Sequence, residues 1–64
     1  MTSLEALLWA DKNNALVEWG FTMKDGRRGV LLNIRGVNGV EVWRPTFLEA
    51  VIEAKKLIEA LTSA

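Results

Sequence analysis

The clearest helical pattern of apolar residues lies near the C-terminal end of the sequence. Seven apolar residues share a sector of about 120° on a helical wheel: Phe47, Ala50, Val51, Ala54, Leu57, Ile58 and Leu61. The segment 46–49 reads Thr-Phe-Leu-Glu, which matches a capping box, and Pro45 before it cannot donate to a sheet. The pattern predicts a helix that begins at Thr46 and has an apolar face broad enough to cover one side of a small sheet.

A second capping box, Thr-Ser-Leu-Glu at 2–5, predicts a helix that ends near Asn13 and Asn14. Three leucines form a narrow stripe on its wheel, here named the leucine stripe: Leu4, Leu7 and Leu8. Asp11 interrupts the next turn of the stripe, and Trp9 falls well away from it. A tryptophan off the core face is either docked at an edge of the fold or in contact with something else.

Between these helices the period of the apolar residues changes to two, which is typical of a half-buried strand. Four residues point to the predicted inner face: Val17, Trp19, Phe21 and Met23. Asp25-Gly26 supplies the residues of a two-residue turn. That turn pairs Phe21 with Val30, Trp19 with Leu32 and Val17 with Ile34, whereas a three-residue loop would set Trp19 against Asn33. We therefore expect the even loop, because it keeps the apolar side chains together.

The second turn, 36–40, can close in two ways. A tight Asn38-Gly39 turn would pair Ile34 with Trp43 and leave Val40 and Val42 on the outer face. A three-residue loop, Val37 to Gly39, with Gly39 in the left-handed region, pairs Ile34 with Val42 and sets Arg35 across from Glu41. We favour the second closure because it buries two valines and forms a pair of opposite charges.

These elements predict one small α+β domain over residues 1–64, in the order α-β-β-β-α. The three strands form an antiparallel meander, and the C-terminal helix packs on one face of it. In the favoured register the outer face carries Glu18, Thr22, Lys24, Leu31, Asn33, Arg35, Glu41 and Trp43.

Composition limits how such a fold is stabilised. A chain of 64 residues buries only about 60% of the surface exposed by its unfolded form, and this one has no cysteine or histidine for disulfides or metal sites. Half of its residues are apolar, and eight basic residues balance eight acidic ones. Because such a surface does not repel itself, we expect a homo-oligomer, a dimer. No apolar run could cross a membrane and no secretion signal is evident, so we expect a cytoplasmic protein without a membrane partner.

Catalysis is disfavoured by the same composition, because most nucleophilic and general-base mechanisms rely on histidine or cysteine. Glu49 and Glu53 share a helix face, but both lie in the first two turns, where negative charge favours the helix dipole. We therefore expect no enzyme, no catalytic residue, no metal ligand and no cofactor.

Two surfaces are candidates for binding. The basic hairpin tip, MKDGRRGV at 23–30, could grip phosphate, although a turn facing water also explains its charges. The candidate interaction surface comprises Trp9, Lys24, Arg27, Arg28, Asn33, Arg35 and Trp43. Tryptophan beside arginine is the composition of interface hot spots. Leu48 and Ile52 lie outside the helical core face and suggest packing against the first helix or, as we favour, a symmetric copy; they are the candidate dimer contact.

A three-stranded sheet followed by a helix, with Thr-Phe-Leu-Glu-Ala at the junction and VIEAKKLIEAL after it, resembles the arm-type DNA-binding domains of phage integrases and the plant AP2 domains. The resemblance covers residues 17–61. It implies that the sheet enters the major groove of DNA and that Lys24, Arg35 and Trp43 make contacts. The element order also resembles double-stranded RNA-binding domains, whose last helix begins with a basic cluster; here Glu49 and Glu53 occupy that helix start.

Two functional hypotheses result. The favoured one is a non-enzymatic, homodimeric interaction protein, of the kind that phages and mobile elements encode as accessory factors, which docks a tryptophan-bearing surface on a protein partner. The alternative is a nucleic-acid-binding module that uses the outer sheet face and the basic tip. Residues 17–44 carry five basic side chains against three acidic ones, a small surplus beside the several phosphate contacts that DNA binding recruits.

Overall fold

The computed structural model describes residues 1–35 and 39–62 and confirms the α-β-β-β-α order and the α+β class. The elements are α1 (Ser3–Lys12), β1 (Ala15–Thr22), β2 (Arg28–Ile34), β3 (Glu41–Arg44) and α2 (Phe47–Thr62). The strands form an antiparallel sheet in the order β1-β2-β3. No helix among the described residues is long and apolar enough to cross a membrane.

Both helices start where the capping patterns predict. At α1 the Thr2 backbone N–H donates to Glu5 Oε1 at 2.9 Å, and the Glu5 N–H donates to Thr2 Oγ1 at 3.2 Å. At α2 the Glu49 N–H donates to Thr46 Oγ1 at 3.3 Å. These bonds satisfy backbone donors that have no partner within the first turn of a helix, which fixes the point where each helix begins.

The first hairpin closes with a three-residue loop, so the prediction of a two-residue Asp25-Gly26 turn is wrong. The Met23 N–H donates to the Arg27 carbonyl at 2.9 Å, and the Gly26 N–H donates to the Met23 carbonyl at 2.9 Å. Gly26 has a φ of 88°. A type I turn followed by a glycine in the left-handed region is the usual form of a three-residue hairpin loop.

A β-bulge at Gly20 compensates for the odd loop. Trp19 lies opposite Val30 and Phe21 opposite Gly29, so Gly20, with a φ of 70°, is the extra residue. Below the bulge Val17 lies opposite Leu32, and the apolar residues of the two strands still share the inner face. Above it the alternation is reversed, which places Phe21 on the outer face and corrects the prediction that it points inward with Val17 and Trp19.

The second hairpin keeps the predicted faces but not the predicted pairs. Leu32 lies opposite Val42 and Asn33 opposite Glu41, and the Ile34 N–H donates to the Val40 carbonyl at 3.1 Å. Both predicted registers are therefore wrong, including the placement of Arg35 across from Glu41. The shift from the favoured register is two residues, which preserves side-chain alternation. Residues 36–38, where most of the predicted loop falls, lie outside the described residues; Gly39 has a φ of 83°, as expected.

The core lies between the inner face of the sheet and the two helices. Its buried cluster is Ala6, Leu32, Ile34, Val40, Val42, Ala50, Val51 and Ala54. α2 packs on β2 and β3, whereas α1 contacts α2 and β1. In the described part of the chain both helices therefore lie on the inner side, and neither covers the outer face.

The two helices bury their faces differently. In α2 the predicted core face is confirmed by Val51, which is fully buried between two alanines of the same face, although the exposed Leu57 and Leu61 extend beyond the core. In α1 the buried residues are Ala6 and Ala10. The leucine stripe, predicted to be the core face, is instead turned toward solvent.

Candidate interaction surfaces

The outer face of the sheet is organised around Trp43. A Cβ atom at Gly29 would lie 2.8 Å from two ring atoms of Trp43 and would also meet the Arg44 carbonyl oxygen, so the indole rests directly on this glycine. The indole Nε1–H donates to the Phe21 carbonyl at 3.5 Å, a long contact. Leu31 lies opposite Trp43 on the neighbouring strand. Trp43 is thus a half-buried residue fixed by β1 and β2.

Arg27 covers the exposed side of this tryptophan. Its guanidinium carbon lies 5.2 Å from the Trp43 ring centroid, and its Nε donates to Asp25 Oδ2 at 2.6 Å. The Arg27 backbone N–H also donates to Asp25 Oδ1 at 3.1 Å. This N–H, and then the guanidinium, hold the pKa of the Asp25 carboxyl below its usual value. We name Phe21, Arg27, Leu31 and Trp43 the tryptophan patch.

The lower half of the outer face is polar. Asn33 Nδ2 donates to Glu41 Oε2 at 3.2 Å. Arg35 and Leu16 line an open groove of about 480 Å³ beside them. Acidic Glu18 shares the groove, so positive charge does not dominate this face.

Four of the seven predicted surface residues lie on the outer face, but in two separate places: Arg27 with Trp43 at the first hairpin, and Asn33 with Arg35 in the polar half. Arg28 pairs with Thr22 beyond the bulge, and its side chain lies against Gly20, with Nη2 2.8 Å from where a Cβ would be. Lys24 is exposed in the hairpin loop. Trp9 is half-buried against the core, as a docked residue and not as an exposed contact.

Trp19 is a surface aromatic residue that sequence reasoning missed. It lies on the inner face as predicted, but 61% of it is exposed because α2 packs on β2 and β3 and not on β1. Its ring stacks on Phe47 with centroids 4.9 Å apart and planes inclined by 29°. No sequence signal marked this exposure, because it depends on which strands α2 covers; the neighbouring Gly20, a glycine inside a strand, signalled only the bulge that turns Phe21 outward.

The leucine stripe is the largest departure from the predicted surface. Leu4, Leu7 and Leu8 expose 66%, 50% and 62% of their area. On the wheel, at about 100° per residue, Leu4 and Leu8 lie nearly opposite the buried Ala6 and Ala10, whereas Leu7, the least exposed of the three, lies closer to Ala10. Three leucines in water on one helix are unusual enough to require an explanation, because isolated exposed apolar residues are common but clusters are not.

The predicted dimer contact occupies the flank of α2 nearest to α1. Leu48 is half-buried against the core, and Ile52 is 36% exposed. Lys55 on the same flank approaches α1, since its ammonium adds a small contribution to the lowered pKa of Glu5, which is caused mainly by the Thr2 N–H and hydroxyl. The packing of α1 on α2 therefore accounts for Leu48, whereas the dimer contact itself stays a prediction.

Acidic groups give no indication of a metal centre in residues 1–35 and 39–62, where no three of them come together to hold an ion. Glu53, one of the two glutamates considered for chemistry, lies 3.3 Å from Arg44 Nη2. This ion pair gives Glu53 a structural partner at the junction of β3 and α2.

Comparisons with protein-family models, with characterised proteins and with solved structures find no match to this chain.

Proposed function

We propose that this chain is a small, non-enzymatic interaction protein that forms a homodimer and binds a protein partner through the tryptophan patch. The observation that carries the proposal is the arrangement around Trp43: a tryptophan fixed on a glycine, covered by an arginine, on a sheet face that neither helix covers. Fixed aromatic and arginine side chains lose little conformational entropy on binding, which suits them to be interface anchors.

The size of the core supports self-association. Ten residues form the buried apolar core of the described chain, and four of them are alanine. The chain exposes 4540 Å², compared with about 4,100 Å² expected for a folded monomer of this mass. A second molecule that covers part of this surface would add to the small amount of apolar area that the chain buries by itself.

Charge supports a protein partner over a nucleic acid. Arg27 is already paired with Asp25, and Glu18 and Glu41 lie on the same face as Trp43. The carboxylates of Glu18 and Glu41 would repel phosphate groups that approach this face. The alternative function predicts that the protein shifts a random DNA duplex at low salt and releases it steeply as salt rises, whereas we expect no shift.

The self-association part of the proposal is tested by analytical ultracentrifugation from about 10 to 300 μM, concentrations chosen for a weak complex. We expect the mass to rise toward twice the 7.1 kDa of the chain. A folded protein that stays at the mass of one chain throughout would contradict a homodimer.

The partner-binding part is tested with Arg27→Glu, since the Arg27 side chain is 67% exposed and its replacement leaves the core intact. Affinity capture with the wild type should retain a protein that Arg27→Glu does not retain. Lys56→Glu, an exposed position on α2, is the matched control and should behave as the wild type. Equal capture by all three baits would exclude the tryptophan patch as the binding surface.

A further inference from the structure

We infer that the leucine stripe of α1 is the contact through which two copies of this chain pair. The inference rests on the proposed homodimer and moves its interface from the predicted Leu48 and Ile52 to the opposite side of α1. The occupant of this surface is a second copy of the same helix, packed across a twofold axis.

The burial of α1 points to this interface. The helix packs on α2 and β1 through Ala6 and Ala10, whose small side chains let two helices approach closely. Its three leucines, each at least half exposed, lie on the far side. A helix that buries alanine and exposes leucine is stabilised less by its own fold than by whatever covers the leucines.

The position of α1 leaves the stripe accessible to a second copy. Packed helices lie about 8–10 Å apart, and α2 occupies the space over β2 and β3, so α1 lies at the β1 margin of the sheet. The stripe points away from α2. A second molecule that approaches this margin meets α1 before any other helix.

The exposed area fits a weak dimer. The three leucines and Met1, which is 45% exposed, present on the order of 400 Å² per copy, so a symmetric contact would bury about 800 Å² in total. This value is at the low end for specific complexes. We therefore expect a dissociation constant of about 10–100 μM and a stability that depends on protein concentration.

The charges beside the stripe favour a second copy over a membrane. Glu5 and Lys12 lie on the same side of the stripe, two turns apart. In an antiparallel pair centred between Leu7 and Leu8, Glu5 of one copy lies two residues, about 3 Å along the helix axis, from Lys12 of the other, within reach of the long lysine side chain, and the arrangement is repeated by symmetry. An anionic lipid surface would offer Glu5 no opposite charge, whereas a second copy offers Lys12.

The test compares Leu8→Glu with Ile52→Glu, which place the same charge on the two candidate interfaces. We expect Leu8→Glu to weaken self-association by about 100-fold or more in sedimentation equilibrium while circular dichroism shows a folded chain. Ile52→Glu should dimerise as the wild type does. If Ile52→Glu dissociates the dimer, alone or together with Leu8→Glu, the assignment of the interface to α1 alone is overturned. A dimer that neither variant weakens also overturns this assignment, although the protein would still be a homodimer.

Cysteine crosslinking gives a second measurement that does not depend on a destabilising charge. The chain has no cysteine, so Leu7→Cys introduces a single thiol at the centre of the stripe, near the proposed twofold axis. Mild oxidation should convert it rapidly to a disulfide-linked dimer, because a disulfide needs Cα atoms within about 7 Å. Lys56→Cys, on the exposed side of α2, should crosslink at least tenfold more slowly. Equal rates for the two variants would overturn the inference, whereas a monomeric wild type would also refute the proposed function.

Discussion

The two helices of this protein carry similar sequence signals and use them in opposite ways. Each begins at a threonine cap and each has an apolar stripe at helical spacing. α2 turns its stripe to the sheet and buries Val51 completely, whereas α1 turns its leucines outward and contacts the fold through Ala6 and Ala10. The comparison shows that an apolar stripe identifies a helix face whose burial is favourable, but not what buries it.

The difference follows from the space that the sheet offers. Three strands present one inner face, and a 16-residue helix over β2 and β3 takes most of it. The remaining margin over β1 accepts small side chains at a close helix–helix contact. Two alanines, Ala6 and Ala10, occupy the buried face of α1, and its leucines face solvent.

The largest expected effect concerns the buried side of this comparison. Val51→Asp places a carboxylate among fully buried apolar residues and should cost about 4 kcal/mol or more, which approaches the whole stability of a small domain. Leu7→Asp introduces the same carboxylate at a half-exposed position and should cost only about 1 kcal/mol for the monomer, through lower helix propensity and partial loss of leucine burial. Urea unfolding followed by tryptophan fluorescence at about 1 μM, below the range expected for self-association, measures both.

A loss of more than about 2 kcal/mol for Leu7→Asp at that concentration would mean that the stripe is buried within one chain. The contrast between α1 and α2 would then disappear, and with it the reason to assign the stripe to a second copy.

The next effect tests how tightly the helices pack. Ala6 has no exposed surface and lies in the core cluster with two alanines of α2. Ala6→Leu adds three carbons at this contact and should destabilise the chain by about 1–3 kcal/mol through overpacking. Leu4→Ala, two residues away on the exposed stripe, is the matched control and should change the free energy of unfolding by under about 0.5 kcal/mol at low concentration. A well-tolerated Ala6→Leu would mean that the interface has room for a leucine.

Sequence reasoning located the helices well because their ends depend on short local signals. A hydroxyl three residues before a glutamate, and a proline that stops a strand, act within one turn. Both helix starts and the end of β3 at Arg44 follow from such signals. The buried face of α1 did not follow, because it depends on how much of the sheet α2 already covers.

Strand pairing was only partly predictable for a different reason. The favoured registers kept most apolar residues on one face, and the structure keeps them there too, but with an odd loop at Gly26 and a bulge at Gly20 that compensate for each other. Two irregularities that cancel leave the alternation of most residues unchanged. Their visible consequence lies between them, where Phe21 changes face and joins Trp43 in the tryptophan patch.

A smaller effect distinguishes the helices by their caps. Thr46→Ala removes the hydroxyl that accepts the Glu49 N–H and should lower global stability by about 1 kcal/mol, because α2 covers most of the sheet. Thr2→Ala removes the corresponding bond in α1, and we expect its effect mainly as faster amide exchange within 3–12. Native-state hydrogen exchange resolves the two. If both variants reduce the protection of the β2 amides by the same amount, α1 unfolds only together with the sheet.

The smallest effect is the titration of Glu5 in the cap of α1. The hydrogen bond from the Thr2 backbone N–H is the main cause that holds the pKa of this carboxyl below the usual 4.5, and the Thr2 hydroxyl contributes less. Because the folded pKa is the lower one, the contribution of the cap is complete above the unfolded value and is lost as the pH falls through the folded one. We therefore expect α1 to loosen in acid while α2 stays in place. Carboxyl carbon NMR should give Glu5 a pKa below that of the same group in the urea-unfolded chain, and Thr2→Ala should raise this pKa. A pKa at or above 4.5 in the folded chain would show that Glu5 does not close the cap in solution. The start of α1 would then be less well capped than the start of α2.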